Sequence, residues 1–166
     1  MIVLGIDPGT ATTGYGLLRE YEDGSLNVID YGVILTPADT PMPERLLALN
    51  CRLKEIILLH RPTNGAVEKL FFQRNVRTAL SVGQARGVVL FTMAEADLAI
   101  YEYTPLEVKL AVAGYGGADK RQVQLMVRAV LGMNELPQPD DAADALAIAI
   151  CHVHSNRMKS LVGVGG

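Results

Sequence analysis

Four acidic residues adjoin apolar segments of this chain, where a carboxylate is costly to bury: Asp7, Glu68, Asp141 and Asp144. Removing an unpaired charge from water costs several kcal/mol per ion, so buried charges are normally paired or bound to metal. A chain that places acids at the ends of its apolar segments is therefore expected to gather them around a compensating cation. This expected cation site is the first indication of the protein's function.

The positions of these acids predict how they meet. Asp7 ends the first apolar run of the chain, and Glu68 ends a second, shorter run. If both runs are parallel strands, their carboxyl ends lie at one edge of a sheet, where α/β proteins usually bind ligands. Asp141 and Asp144 are three residues apart, so on a helix their Cβ atoms share one face, roughly 5–6 Å from each other.

The type of these side chains indicates which metal they would bind. Carboxylate oxygens without a histidine–cysteine cluster favour Mg²⁺ or Mn²⁺ over Zn²⁺. Four of them suit a site with two ions about 3.5–4 Å apart, which activates water and stabilises the leaving oxygen of a phosphodiester. The alternative is structural: Asp140 is interpreted as a helix N-cap, and Asp141 and Asp144 would favour the positive end of the helix dipole. At Asp144 that benefit has faded, because the residue lies a full turn into the helix.

Apolar periodicity and turn signals predict the elements that hold these acids. Five segments are interpreted as strands: residues 2–7, 15–18, 26–35, 65–68 and 98–103. Helices are predicted over residues 43–60 and about 75–96, after capping boxes at Thr104 and Asp119, and from Pro139 to about Lys159.

This order of elements predicts an α/β protein with a mixed five-stranded sheet flanked by helices, in which the first, fourth and fifth strands are parallel. A chain of 166 residues is long enough for one such domain and too short for two. No linker or internal repeat divides it. A single domain is therefore expected over residues 1–158, followed by a flexible tail over 159–166.

The formal net charge of −3 argues at first against a nucleic-acid partner, because such proteins usually carry a basic surface. The net charge does not exclude a nucleic-acid partner if the acids cluster around metal, since the remaining surface is then locally positive. No apolar stretch reaches the ~18 residues that a membrane helix needs, and the N-terminus lacks the basic region of a signal peptide. A cytoplasmic protein with no membrane partner is expected.

Residues 5–10, Gly-Ile-Asp-Pro-Gly-Thr, are ambiguous by themselves. An Asp-x-Gly-Thr turn also occurs in the phosphate loop of sugar kinases and actin-like ATPases, where small residues let the backbone approach a phosphate. Those ATPases need a second copy of the fold, which 166 residues do not supply. The length therefore argues against an ATPase.

Together with three further segments, this motif resembles the RuvC family of bacterial Holliday junction resolvases. The matching segments are residues 5–10, 67–72 (VEKLFF), 83–87 (GQARG) and 141–149 (DAADALAIA), and the similarity extends from about residue 2 to 158. The resemblance implies a ribonuclease H-like fold, a homodimer, and Mg²⁺-dependent symmetric nicking of two strands of a four-way DNA junction. It also implies RuvA and RuvB as partners and a preference for thymine-containing cleavage sites.

The same resemblance implies roles for individual side chains. The four acids named above match the catalytic acids of the family in type and context. Lys109 and Lys120 match two family lysines near the active site, and either would hold the scissile phosphate or help to deprotonate the attacking water. The alternative for Lys120 is a solvated residue in the first turn of a helix.

Basic and aromatic residues follow Glu68, with no further acid before Glu95. The candidate phosphate contacts are Lys69, Arg74, Arg77 and Arg86. Phe71 and Phe72 lie among them, and an exposed aromatic ring stacks readily on an unpaired base. One of the two is expected in the core, and the family pattern favours Phe71 as the wedge at the junction.

Small residues line one face of the predicted long helix: Ala79, Gly83, Gly87 and Ala94. Glycine inside a helix costs about 1 kcal/mol relative to alanine, so close packing is expected there. The candidate partners are the domain's own sheet and a second copy of the chain. A junction with two equivalent strands favours the second copy, because a twofold dimer carries two sites.

His152 and His154 are two residues apart on the last predicted helix and therefore do not share a face. They are interpreted as residues of the helix surface near DNA and not as a metal pair.

Two other functions stay open. One is a ribonuclease H-like nuclease that acts on another structured or hybrid nucleic acid. The other is a non-catalytic junction-binding protein, against which the intact acidic quartet argues.

Overall fold

The computed structural model describes residues 1–69 and 76–162, and of residues 76, 77 and 162 it describes the backbone only. The strands in these ranges are β1 (Ile2–Asp7), β2 (Thr12–Glu20), β3 (Leu26–Leu35), β4 (Asn64–Glu68) and β5 (Ala99–Tyr103). The helices are α1 (Met42–His60), α2 (Val76–Glu95), α3 (Pro105–Ala113), α4 (Lys120–Val130) and α5 (Asp140–Val162).

The strands form one mixed sheet in the order β3-β2-β1-β4-β5. β1 and β3 each pair antiparallel with β2, whereas β1, β4 and β5 run parallel. The predicted five-stranded sheet flanked by helices is confirmed. In the parallel pair Ile6 lies opposite Val67, so Asp7 and Glu68 are the next residues of two neighbouring strands.

Element boundaries follow the predicted ones except in two places. β2 begins at Thr12 and ends at Glu20, well beyond the predicted residues 15–18. Its polar ends are strand because they pair with β3, Thr12 with Leu35 and Glu20 with Leu26, and Arg19 also pairs with Ile2 of β1. The last helix continues past Lys159 to Val162.

The two predicted capping boxes begin α3 and α4. The hydroxyl of Thr104 accepts from Glu107 N at 3.1 Å, and Thr104 N donates to the carboxylate of Glu107 at 2.7 Å. Asp119 and Gln122 make the same reciprocal pair at 2.8 Å each. Each box satisfies backbone donors that a helix start leaves without an intrahelical acceptor. The box at Asp119 fixes where α4 begins, and with it the position of Lys120, the first residue of that helix.

The sheet separates two apolar clusters. Val3 and Leu18 belong to the cluster that also contains the buried side chains of α3, α4 and α5. The alternate residues Leu4 and Leu17 belong to the cluster formed with α1 and α2. Successive side chains of a strand point to opposite faces, so the sheet has helices on both faces. None of the described helices is both long and apolar enough to cross a membrane.

α5 packs directly on the backbone of the first two strands. A Cβ atom on Gly14 would overlap the carbonyl oxygen of Asp141, and one on Gly16 would lie 2.9 Å from the nitrogen of Leu146. A Cβ atom on Gly5 would lie 2.8 Å from the nitrogen of Ala149. Glycine is required at these positions because any side chain would push the helix away.

His152 corrects one prediction. It is buried and not on the helix surface, with Nδ1 2.8 Å from the hydroxyl of Tyr103 and Nε2 3.0 Å from Nδ2 of Asn64. Burial lowers its pKa to about 4, so the ring is neutral near neutral pH. His154 turns elsewhere, with Nδ1 2.9 Å from the carbonyl oxygen of Ala111.

Gly14→Ala tests the close packing of α5. The added methyl group must displace the first turn of the helix, and overpacking of this kind typically costs about 1–3 kcal/mol. Urea unfolding should show a loss of that size. Gly117→Ala is the matched control, because the nearest described neighbour of its Cβ would be Tyr115, at an ordinary 3.7 Å. That variant should stay within about 0.5 kcal/mol of wild type. Equal stability of the two variants would contradict the described packing.

Candidate active site

The site is built where β1 and β4 end. Asp7 and Glu68 are the last residues of these strands, and each is half-buried. Asp7 also pairs with Gly14 of β2, the glycine that lies against the backbone of Asp141. The ladder therefore places Asp7 between Glu68 on one side and the start of α5 on the other.

α5 supplies the other two acids. Asp141 is the second residue of the helix and Asp144 lies one turn further, followed by residues that are buried through Val153. Only the start of the helix thus presents carboxylates, and it presents them at the edge of the sheet where Asp7 lies.

Burial and mutual repulsion together raise the pKa values of three of the acids, Asp7, Glu68 and Asp144. Burial, followed by the charges of Glu68, Asp144 and Asp141, raises the pKa of Asp7 to about 8. Burial and then Asp144 raise the pKa of Glu68. Burial also raises the pKa of Asp144, although its hydrogen bond with Lys120 opposes that shift. The four carboxylates are close enough to resist simultaneous ionisation, and a bound cation would relieve that resistance.

The donor set fits a hard divalent cation. It consists of carboxylate oxygens, the ligands that Mg²⁺ and Mn²⁺ prefer, and it lacks the thiolates and imidazoles that mark zinc sites. Within the described ranges no group of three or more His, Cys, Asp or Glu side chains is already arranged to hold a metal ion. Binding would therefore require side chains of the quartet to turn toward the ion.

Lys120 is a positively charged side chain in contact with the acids. Its Nζ lies 3.2 Å from the carboxylate of Asp144 and 3.4 Å from that of Asp140. Burial opposes its charge, but the hydrogen bonds and charges of Asp144 and Asp140 outweigh that effect and raise its pKa. A lysine held in its charged form is suited to contact a phosphate and poorly suited to accept a proton from water.

Asp140 does not act as the predicted N-cap. It is the first residue of α5, and its carboxylate accepts a hydrogen bond from Nε2 of the buried Gln124 at 3.0 Å while also facing Lys120. Gln124 and Lys120 are four residues apart on α4 and so share a helix face. That spacing is the sequence signal for this contact, and the interpretation of Asp140 as an N-cap did not include it.

A cavity of about 230 Å³ opens beside the acids. Glu68, Asp144, Lys109 and Lys120 line its polar side, and Pro105, Val108, Val123, Ala147 and Ile148 line its apolar side. Both predicted lysines are therefore brought to the same opening as two of the acids. Charged groups on an apolar wall interact more strongly than they would in open water.

The predicted DNA contacts have different placements. Lys69 is exposed directly after β4. Arg77 lies at the start of α2, where only the backbone is described, and Phe71 and Arg74 lie outside the described residues. Arg86, also predicted as a phosphate contact, has partners within the protein: its Nε donates to the carbonyl oxygen of Glu68 at 3.3 Å, and its guanidinium is paired with a carboxylate of β5.

Comparison with known proteins identifies the family. The model of the family "Crossover junction endodeoxyribonuclease RuvC" matches residues 3–152. The RuvC of Desulfitobacterium hafniense is 59% identical over 163 residues, which cover 98% of each chain. The chain belongs to the RuvC family. Its relatives are named crossover junction endodeoxyribonucleases, which is the class of nuclease that the sequence motifs predicted.

Solved RuvC structures have the same fold. The structure of Thermus thermophilus RuvC matches with a TM-score of 0.89 and 41% identity, covering 95% of this chain and 96% of that chain. A second structure, T. thermophilus RuvC in complex with a Holliday junction substrate, matches with a TM-score of 0.87 and 38% identity over the same shares. The predicted ribonuclease H-like fold is confirmed by this agreement with the RuvC fold.

The raised pKa of Asp7 predicts how stability depends on pH without metal. In an unfolded chain this carboxyl loses its proton near pH 3.8, whereas in the folded protein it does so near 8. Between these values the folded state binds the extra proton, so the free energy of unfolding should fall as pH rises from about 4 to about 8. Asp7→Asn should flatten that slope and raise stability at pH 8 by at least about 1 kcal/mol.

Urea unfolding in the presence of a chelator, repeated across this pH range, measures the effect. Asp39→Asn changes an exposed acid in a turn and should keep the wild-type slope. A slope that is the same in all three proteins would show that Asp7 does not carry the repulsion.

Proposed function

We propose that this chain resolves Holliday junctions by symmetric, metal-dependent hydrolysis of phosphodiesters in two strands during recombination and DNA repair. One observation carries the proposal: β1, β4 and α5 bring Asp7, Glu68, Asp141 and Asp144 to one sheet edge. Family membership supports the junction as substrate, since a relative is known in complex with one.

The four carboxylates would hold two ions of Mg²⁺ or Mn²⁺. When bound, such ions activate water as the nucleophile and stabilise the oxygen that leaves the phosphorus. Asp7 would contribute to both ion sites because it lies between Glu68 and α5. The quartet must be ionised to hold metal, so binding would release the proton that burial and repulsion retain on Asp7.

Lys120 and Lys109 would hold the scissile phosphate. Both line the cavity next to Glu68 and Asp144, and the charge of Lys120 is maintained by its two carboxylate partners. A cation in this position attracts the phosphate into the site and stabilises the charge that develops on it. If Asp144 held a metal ion, Asp140 would still hold Lys120, whose Nζ lies 3.4 Å from its carboxylate.

The surface after β4 would bind the arms of the junction. Lys69, Arg74 and Arg77 would contact phosphates, which supplies affinity without sequence information. Phe71 would stack on an unpaired base at the branch point. Arg86 contributes less to this surface than the others, because its guanidinium is engaged within the protein.

The exposed face of α2 would pair with a second copy of the chain. Leu80 and Phe91 are 66% and 62% exposed, and a Cβ atom on Gly87 between them would meet none of the described residues within 4 Å. These positions are spaced 80, 87 and 91, which places them along one side of the helix. This open space at Gly87 supports packing against a second copy rather than against the domain's own sheet. A twofold homodimer covers this face and provides one active site for each of the two cut strands.

We further infer that RuvA and RuvB are partners, that thymine-containing sites are preferred, and that the protein acts in the cytoplasm. These inferences rest on membership of a family with bacterial relatives. A nuclease acting on another structured or hybrid nucleic acid remains the alternative, and the assay below includes that substrate.

Cleavage of a synthetic four-way junction tests the function. With Mg²⁺ or Mn²⁺ the protein should nick two opposite strands symmetrically and leave duplex DNA uncut. Loss of a residue that only supports a metal ligand typically costs about 10–100-fold. Asp7→Asn should lower the cleavage rate by more than that. The same variant should bind the junction as tightly as wild type in a chelator. No cleavage of several junction sequences with either metal, or preferred cleavage of an RNA–DNA hybrid, would contradict the proposal.

Phe91→Glu tests the homodimer. A buried charge at an apolar contact is strongly unfavourable, so the variant should sediment as a monomer at concentrations where wild type is a dimer. Met158→Glu is the matched control, since Met158 is 63% exposed on α5. That variant should remain dimeric. If both variants sediment like wild type, α2 does not form the subunit contact.

A further inference from the structure

Arg86 connects three elements at the edge of the active site. It lies on α2, its Nε donates to the carbonyl oxygen of Glu68 at 3.3 Å, and its Nη2 is paired with the carboxylate of Glu102. Its side chain is 19% exposed and that of Glu102 is 38% exposed. The guanidinium thus joins the helix to the last residue of β4 and to β5.

The position of this contact matters because Glu68 is where β4 stops. Val67 lies opposite Glu102 and Glu68 opposite Tyr103, and the next backbone donor, Lys69 N, binds the carbonyl oxygen of Tyr103 at 2.8 Å. β5 therefore holds the strand end from one side. Arg86 holds the carbonyl group of the same residue from α2.

We propose that Arg86 and Glu102 are a positioning pair that fixes the backbone of Glu68 so that its carboxylate meets the metal. This inference rests on the proposed function of Glu68. A metal ligand must be held within about 0.5 Å of its productive place, and that requires supporting contacts behind it. The planar guanidinium suits this task, because it donates to a carbonyl and a carboxylate at fixed angles.

The contacts of Arg86 also separate this role from DNA binding. An arginine that binds a phosphate offers a free fork of donors to solvent. Here Glu102 already faces the guanidinium and neutralises its charge, so a phosphate would have to displace a carboxylate. Losing Arg86 should therefore affect metal use more than junction affinity.

Three variants test the assignment by metal titration: Arg86→Gln, Arg86→Lys and Glu102→Gln. Each should raise the Mn²⁺ concentration for half-maximal junction cleavage by about 10–100-fold, the usual effect of losing support for a ligand. Arg86→Lys should not rescue, because one ammonium group does not reproduce the planar fork. The increase in unfolding temperature caused by a fixed Mn²⁺ concentration should also be smaller in each variant, which reports metal binding without cleavage.

Two further variants provide the comparison. Arg52→Gln removes a solvent-exposed arginine–glutamate pair within α1 and should leave the metal response unchanged. Arg77→Gln should behave as a phosphate contact: junction affinity falls, its salt dependence weakens by about one unit of slope, and the Mn²⁺ requirement stays the same.

Two results would overturn the proposal. One is an Arg86→Gln variant that loses junction affinity and salt slope as Arg77→Gln does while keeping the wild-type Mn²⁺ requirement. The other is a folded Glu102→Gln variant with the wild-type Mn²⁺ requirement, which decides the matter even if Arg86→Gln fails to fold. If wild type itself does not cut junctions, the proposed function fails. If wild type cuts normally and the variants keep its Mn²⁺ requirement, only the positioning pair is contradicted.

Discussion

α5 and the first two strands lie backbone against backbone, because Gly5, Gly14 and Gly16 leave no side chain between them. Most helices rest on a sheet through a layer of side chains, which keeps their termini several ångströms further away. Here the missing layer lets the carbonyl group of Asp141 reach the strand residue that pairs with Asp7. The distance from the strand acids, Asp7 and Glu68, to the two acids of α5 is therefore set by the absence of side chains at these three glycines.

The electrostatic cost of this arrangement is confined to one edge of the sheet. Buried alanine, leucine and isoleucine side chains of α5 begin directly behind Asp144, so the acids have an apolar region on one side and solvent on the other. Lys120 offsets part of the repulsion through its contacts with Asp144 and Asp140. The net charge of −3 thus gives little information about the surface that DNA would meet, because several of the acidic residues are gathered at this one edge.

The sequence was informative wherever a feature depends on neighbouring residues. The apolar runs that end at Asp7 and Glu68 predicted the parallel strands, and the capping boxes at Thr104 and Asp119 predicted two helix starts. It did not reveal contacts with residues that are distant along the chain. His152 has the spacing of a surface residue, yet Asn64 and Tyr103 provide it with polar partners in the interior. Arg86 has the sequence context of a DNA contact, and its acidic partner, Glu102, lies on another element.

The order of the acids along the chain has a consequence for how the protein is made. β1 pairs with β4 across some sixty residues of sequence, and α5, near the other end of the chain, packs on β1 and β2. Contacts between segments this distant form slowly, because bringing the segments together costs loop-closure entropy. A nascent chain that has not yet released α5 from the ribosome lacks two of the four carboxylates and the helix that covers the sheet. The complete acidic quartet can therefore form only after synthesis has passed α5.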